Sequence, residues 1–242
     1  MEQKYNFNIN SQNDETIIRM GQAAEPFNYP GTIYKALSTE AFEILIKWRQ
    51  TKHTVVGYHD SGFTAILDDS LIDMKRDMVL YRFENSLQMK EWKDVLQQAL
   101  SQKTLIDFIK CRRDSIPEIP NSEVLLYNLQ NFKFVQNIEA DYSRTDNNNY
   151  TFAFKSKDGE GTVDIPQQFT ANIEIIKESG FLQDMDIELE IRRPKNADEK
   201  PSFILSCPKL GRYEEMAKDH EYDKLKELLN TQTDVLLVNA SF

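Results

Sequence analysis

Apolar and polar residues alternate without interruption along one stretch of the chain, from Asp184 to Arg193. Its apolar members occupy every second position: Met185, Ile187, Leu189 and Ile191. Successive side chains of a strand point to opposite faces of a sheet, so this period of two predicts a strand with one buried face and one acidic, solvent-exposed face. Shorter alternations predict an antiparallel sheet in the second half of the chain, with these further residues pointing inward: Phe152, Phe154, Ala171, Ile173 and Ile175.

Strand patterns also occur on both sides of this region. In chain order, the predicted strands cover residues 53–58, 63–67, 78–83, 136–142, 149–156, 169–176, 184–193, 202–207 and 235–238. The first two flank His59-Asp60-Ser61-Gly62, a turn sequence that predicts a β-hairpin.

Helical periodicity predicts helices between these strands. Their predicted starts are Ser38 or Thr39, Asn85, Ser101, Ser122 and about Arg212. Asn85 and Gln88 have the spacing of a capping box, which predicts a helix whose apolar stripe runs from Trp92 to Leu100.

This order of elements predicts an α+β fold. We expect antiparallel sheets with helices packed on one face, and a C-terminal β-meander followed by a helix and a final strand. The βαβ alternation of nucleotide-binding parallel sheets is not present, and the sequence contains no Walker loop and no GxGxxG motif. Eight glycines in 242 residues also leave little material for a phosphate cradle, so we expect no cofactor.

Composition predicts three regions. Residues 1–30 are polar and rich in Asn and Gln, which is typical of a flexible N-terminal arm. The rigid connector IPEIPN then separates a predicted N-terminal α+β lobe, 31–120, from a predicted C-terminal meander-plus-helix lobe, 121–242. A loop within one continuous domain explains the two prolines of this connector equally well.

The chain has the features of a cytoplasmic protein. No apolar run reaches the roughly 18 residues of a membrane span, and the first residues, MEQKYNFNIN, do not resemble a signal peptide. Cys111 and Cys207 are far apart and have no metal-ligand spacing, which suits two structural thiols in a reducing compartment.

Negative charge is concentrated in the second half of the chain. Residues 1–120 contain 15 basic and 17 acidic residues, whereas residues 121–242 contain 14 and 22, for a total net charge of −10. The acidic positions predicted on the exposed sheet face are Glu174, Asp186, Glu188 and Glu190. Such a face would repel phosphate and suits a partner protein with a basic surface, although the solvated face of a half-exposed sheet is the more ordinary interpretation.

Local patterns that suggest catalysis have simpler explanations. His59-Asp60 resembles the metal-binding dipeptide of phosphohydrolases, but its position favours a turn. Asp68 and Asp69, with Asp73 and Asp77 following, could gather a divalent cation, yet consecutive residues of a strand point in opposite directions. The sequence also offers no Ser-His-Asp or nucleophile-elbow pattern, so we expect no catalytic residue, no metal site and no enzymatic activity.

Single-stranded nucleic-acid binding is the alternative function. Such binding needs exposed aromatic residues for base stacking, with basic residues beside them. The segment that comes closest to this pattern contains the candidate nucleic-acid-binding residues Arg144, Tyr150, Lys155 and Lys157. Alternating aromatic residues on a strand are more often part of a core.

Several segments resemble the YfdQ-like family of phage and prophage proteins. They are AILDDS, EWKDVLQQALSQKTLIDFI, SEVLLYNLQNFKF, TFAFKSKDGEGTVDIPQQFTANIEI and DIELEIRR, and the similarity covers roughly residues 35–240. The resemblance implies a phage or prophage origin and no defined biochemical activity. Family members often carry Trp and His between the hairpin and the third strand, where this chain reads MKRDM, so no site residue is carried over.

Together these observations predict a non-enzymatic phage accessory protein that binds a host or phage protein. One version is inhibition of a host defence nuclease, whose basic channel would bind carboxylates in place of phosphates. The alternatives are the nucleic-acid-binding accessory described above and a protein that binds a small nucleotide. An exposed edge of the meander is also compatible with a homo-oligomer.

Overall fold

The computed structural model describes residues 31–71, 76–117, 122–132, 149–156, 159–192, 200–230 and 235–240. This part of the chain forms a five-stranded sheet, a four-stranded sheet, a two-stranded hairpin and five α-helices. The predicted arm, 1–30, and the predicted strand at 136–142 lie outside these ranges. The helices are α1 Thr39–Arg49, α2 Leu87–Val95, α3 Gln102–Cys111, α4 Ser122–Asn131 and α5 Leu210–Leu229. The strands are β1 Ile33–Ala36, β2 Thr54–His59, β3 Gly62–Ile66, β4 Met78–Arg82, β5 Ala99–Leu100, β6 Asn149–Ser156, β7 Gly159–Pro166, β8 Gln168–Glu174, β9 Leu182–Arg192, β10 Ser202–Ser206 and β11 Val235–Asn239.

The predicted α+β class is confirmed. One sheet has the strand order β1-β4-β3-β2-β11, the other has the order β5-β10-β9-β8, and β6 and β7 form a separate hairpin. Strands β8, β9 and β10 form the predicted antiparallel meander, and α5 and β11 follow them in the predicted order. Strand β6, which was predicted as part of the same sheet, instead pairs with β7 alone among the described strands. Strand β11 does not extend the meander, however, because it pairs in parallel with β2 of the first sheet.

The turn at His59-Asp60 is confirmed as part of the β2–β3 hairpin. Gly62 has a φ of 142°, and a Cβ atom at this position would lie 2.0 Å from the carbonyl oxygen of Tyr81. Glycine is therefore required where the hairpin returns beside β4.

The prediction that one helix extends to Leu100 is wrong. The N-cap of α2 is Ser86, whose Oγ accepts a hydrogen bond from the backbone N–H of Met89, and the helix ends at Val95. Gln97 then adopts a left-handed conformation, with a φ of 65°, and its N–H donates to the carbonyl oxygen of Leu205. Pairing with β10 thus overrides the helical periodicity, and Ala99–Leu100 becomes strand β5.

Two hydrophobic cores hold the sheets and helices together. The larger one lies between the second sheet and helices α2, α3 and α4, with Trp92 fully buried and its ring 5.0 Å from that of Phe108. The smaller one lies between the first sheet and helix α1, where Phe42 packs on Phe63. Each core draws on residues from both sides of the predicted connector, and the division into lobes stays a prediction.

Helix α5 belongs to both cores. Tyr213 and Ala217, near its start, are buried in the larger core, whereas Leu225 and Leu229, near its end, are buried in the smaller one. Of the helices in the described ranges, none combines the length and the apolar character that a membrane crossing needs.

A fully buried carboxylate lies between these two ends of α5. Glu221 accepts a hydrogen bond from the hydroxyl of Thr39 at the start of α1, and the Lys224 ammonium lies 4.0 Å from its second oxygen. Burial raises the pKa of Glu221 above its usual value, and burial together with the nearby Glu221 charge raises the pKa of Tyr81. The carboxylate therefore fixes α5 to α1 at a cost in desolvation.

Replacing Gln97 with glycine tests the strained turn after α2. Glycine adopts positive φ without the Cβ clash, so we expect Gln97→Gly to raise the free energy of unfolding by about 0.5 kcal/mol. Urea-induced unfolding of both proteins measures this difference. A lower stability of the variant would mean that the Gln97 side chain contributes more than the backbone strain costs.

The pH dependence of stability tests the buried carboxylate. Because the folded protein holds the Glu221 proton more tightly than the unfolded chain, the stability contribution of this group is complete below the unfolded pKa, near 4.5, and is lost as pH rises through the raised folded value. Glu221→Gln keeps an acceptor for Thr39 and cannot ionise. We therefore expect the stability of the variant relative to the natural protein to increase from pH 4.5 upward, and parallel urea-unfolding profiles would contradict this.

Candidate functional site

The predicted acidic face is the outer surface of the meander. Along β9 buried and more exposed side chains alternate as predicted, and the outer positions form an acidic row: Asp184, Asp186, Glu188 and Glu190. Glu174 lies on the same face of neighbouring β8, opposite Leu182. The other face of the strand is buried in the larger core.

Asp186 is the most constrained member of the acidic row. Its Oδ2 atom accepts hydrogen bonds from the Lys209 ammonium at 2.9 Å and from the Tyr213 hydroxyl at 3.0 Å. These two contacts, with Lys209 contributing most, hold the pKa of Asp186 below its usual value. Asp186 thereby fixes the start of α5 to the sheet, and its charge is largely compensated.

The remaining acidic residues differ in how their charges are compensated. Glu190 forms an exposed ion pair with Arg192 at 2.9 Å. Among the residues that the structure describes, the Ser206 hydroxyl on the adjacent strand is the one hydrogen-bond partner of Glu188, at a long 3.5 Å. Glu174 accepts a hydrogen bond from the Gly180 backbone N–H at 2.8 Å and so closes the turn between β8 and β9. Asp184 accepts a hydrogen bond from the side-chain amide of Asn172 on β8. Glu188 is therefore the member of the row best placed to meet a cation from outside.

The structure describes two of the four residues that were predicted to bind nucleic acid. Tyr150 and Lys155 lie on β6, where they pair with Ile165 and Glu160 of β7, while Arg144 and Lys157 lie outside the described residues. This basic and aromatic face stays a prediction. Strand β7 was not predicted, because its apolar residues are too few to form a clear alternation.

The aspartates of the segment 68–77 have separate partners where the structure describes them. Asp77 forms an ion pair with Arg49, Asp69 forms one with Arg76, and Asp68 accepts hydrogen bonds from Ser70, while Asp73 lies outside the described residues. Within the described ranges no group of three or more His, Cys, Asp or Glu side chains could hold a metal ion.

Both cysteines are free thiols. Cys111 is exposed at the end of α3, whereas Cys207 is buried after β10. Burial raises the pKa of Cys207 to about 11, so its thiol is protonated and unreactive at neutral pH.

The structure also contains a cleft that the sequence analysis did not identify. It has a volume of about 350 Å³ and lies between the β2–β3 hairpin, helix α5 and the end of β11. We call it the aromatic cleft, after Tyr58, Phe63, Phe83 and Tyr222. Its polar lining residues are His59, Asp60, Glu215, Lys218, Asp219 and Asn239. The i, i+3, i+4, i+7 spacing of the four residues from α5 places them on one helix face, but only the tertiary structure brings that face to the hairpin.

No protein-family model, curated protein or solved structure matches the chain. The resemblance to the YfdQ-like family therefore stays a prediction, and the functional argument rests on the residues themselves.

Removing the Tyr213 hydroxyl tests the contact that fixes α5 to the acidic row. Tyr213→Phe keeps the buried ring and deletes the hydroxyl, which donates to the Asp186 carboxylate and accepts from the Asp186 backbone N–H. We therefore expect the free energy of unfolding to fall by about 1 to 2 kcal/mol at neutral pH. Urea-induced unfolding measures the change. Equal stability of the two proteins would show that Lys209 and water replace the contact at no cost.

Proposed function

We propose that the protein acts by binding a partner protein with a basic surface, and not by catalysis. The observation that carries this proposal is the regular row of carboxylates on the outer face of β9, among which Glu188 has no cationic partner within the described residues. Alternate residues of a strand are about 7 Å apart, so the row presents several charges along one line.

The rigidity of the acidic row supports binding. The opposite face of β9 is buried, and its neighbours β8 and β10 pair with it in continuous antiparallel register. The bonds from Lys209 and Tyr213 to Asp186 hold the adjoining helix in place. Because the backbone that carries the carboxylates is already ordered, binding of a basic partner would cost little backbone entropy.

The charge balance of the face also favours a basic partner. Arg192 and Lys209 compensate two of the four carboxylates of β9, and the face stays negative overall. Such a field attracts cationic surfaces and repels phosphate. We propose that the partner is a host or phage protein in a bacterial cytoplasm, and that the specific action is inhibition of a defence nuclease through its basic nucleic-acid channel.

Charge reversal on β9 tests this proposal. Tagged natural protein and the double variant Glu188→Lys/Glu190→Lys are used to capture partners from lysate of a phage-carrying bacterium, with and without added nuclease. We expect a stoichiometric partner that nuclease does not remove, and that binds the double variant at least roughly tenfold more weakly in a titration with the recovered protein.

A matched control variant has the same net charge as the β9 double variant but carries its substitutions on another surface. Asp107 and Glu123 are exposed on α3 and α4, which cover the opposite face of the sheet, so Asp107→Lys/Glu123→Lys should bind the partner like the natural protein. Equal binding by the β9 variant would exclude this surface. Recovery of partners only without nuclease would instead favour the nucleic-acid alternative.

The small-nucleotide alternative has one supporting feature. A second cavity, of about 200 Å³, lies beside the ends of the parallel strands β1 and β4 and includes three basic side chains: Lys35, Arg82 and Lys177. Thermal unfolding with a panel of nucleotides tests it, because a ligand that binds only the folded protein raises the melting temperature.

A further inference from the structure

We propose that the aromatic cleft binds an organic cation, that is, an alkylammonium or guanidinium group. This inference concerns a different surface from the acidic row and does not depend on the function proposed above.

The floor of the aromatic cleft is built from two pairs of aromatic rings. The ring centroids of Tyr58 and Tyr222 are 4.2 Å apart, and those of Phe63 and Phe83 are 5.2 Å apart. Tyr58 and Tyr222 are half-buried, so part of each ring faces the cavity. The face of an aromatic ring carries partial negative charge and attracts cations. Alkylammonium and guanidinium groups are favoured because they can contact the ring while keeping part of their hydration.

The rim of the aromatic cleft is acidic. Asp60 at the hairpin turn and Glu215 and Asp219 on α5 are exposed, and within the described part of the chain none of them forms an ion pair. Lys218 is the one ammonium group among the cavity residues. Three carboxylates against one ammonium give the rim a net negative charge, which would stabilise a bound cation and repel a phosphate or carboxylate ligand.

The aromatic cleft is held open by the packing around it. The start of α5 is fixed in the larger core and its end in the smaller core, so the helix face with Glu215 and Tyr222 stays at a set distance from the hairpin. The hairpin in turn is fixed by the close approach of Gly62 to β4. A preformed cavity of this size accommodates one side-chain-sized or polyamine-sized ligand.

Two sources could supply the same chemistry: a free polyamine or amino acid, and a lysine or arginine side chain of a protein. Titration calorimetry of the full-length protein with spermidine and with N-acetylarginine amide separates them. Saturable binding of either probe supports the proposal, and the tighter probe identifies the source. No saturable binding of either, or equal binding of glutamate, would overturn it.

Substitutions on one helix distinguish a site from general attraction to an acidic protein. We expect Asp219→Asn and Tyr222→Leu each to weaken binding roughly three- to tenfold, and Lys218→Gln to strengthen it about threefold. Glu227→Gln is the matched control, since Glu227 is an exposed carboxylate two turns further along α5 and lies outside the cavity. A loss in this control equal to that of Asp219→Asn would contradict a local site.

A second readout covers variants that fold poorly. Proton NMR of the natural protein, titrated with the better probe, should shift the aromatic resonances of Tyr58 and Tyr222. Binding without any shift of these rings would place the ligand elsewhere and overturn the assignment.

Discussion

Helix α5 must bury side chains in two cores at once, and most of the structure depends on this constraint. Its 20 residues span about 30 Å, with Tyr213 and Ala217 in the larger core and Leu225 and Leu229 in the smaller one. An apolar residue at the midpoint would serve either core, but the chain has Glu221 there, bonded to Thr39. A hydrogen-bonded carboxylate has fewer acceptable positions than an apolar side chain, so it sets how the two sheets are placed relative to the helix.

Local patterns predicted the elements whose environment repeats along the chain. The alternation in β9 and the hairpin around Gly62 were correct because one buried face or one tight turn determines them. The end of α2 was wrong because the bond from Gln97 to Leu205 joins residues more than 100 positions apart. Strand β1 was missed for a similar reason, since its four residues are stabilised by parallel pairing with β4.

The same difference between local patterns and long-range contacts decides how much of the candidate sites could be predicted. The face of the acidic row follows from strand periodicity, but its electrostatics do not, because Lys209 and Tyr213 reach Asp186 from a helix whose position the pattern does not specify. The aromatic cleft could not be predicted at all, since it exists only where α5 crosses the hairpin. Its polar residues carry a helical spacing that is also typical of an ordinary solvated face.

The parallel pairing of β11 with β2 affects how the chain can fold during synthesis. Strands β2, β3 and β4 leave the ribosome well before α5 and β11, and the contact between Thr39 and Glu221 spans 182 positions. Closing so long a loop is slow because it costs conformational entropy before the new contacts form. Until the loop closes, helix α5 does not cover the apolar surface of the first sheet. The newly made N-terminal half therefore exposes apolar surface until the last elements arrive.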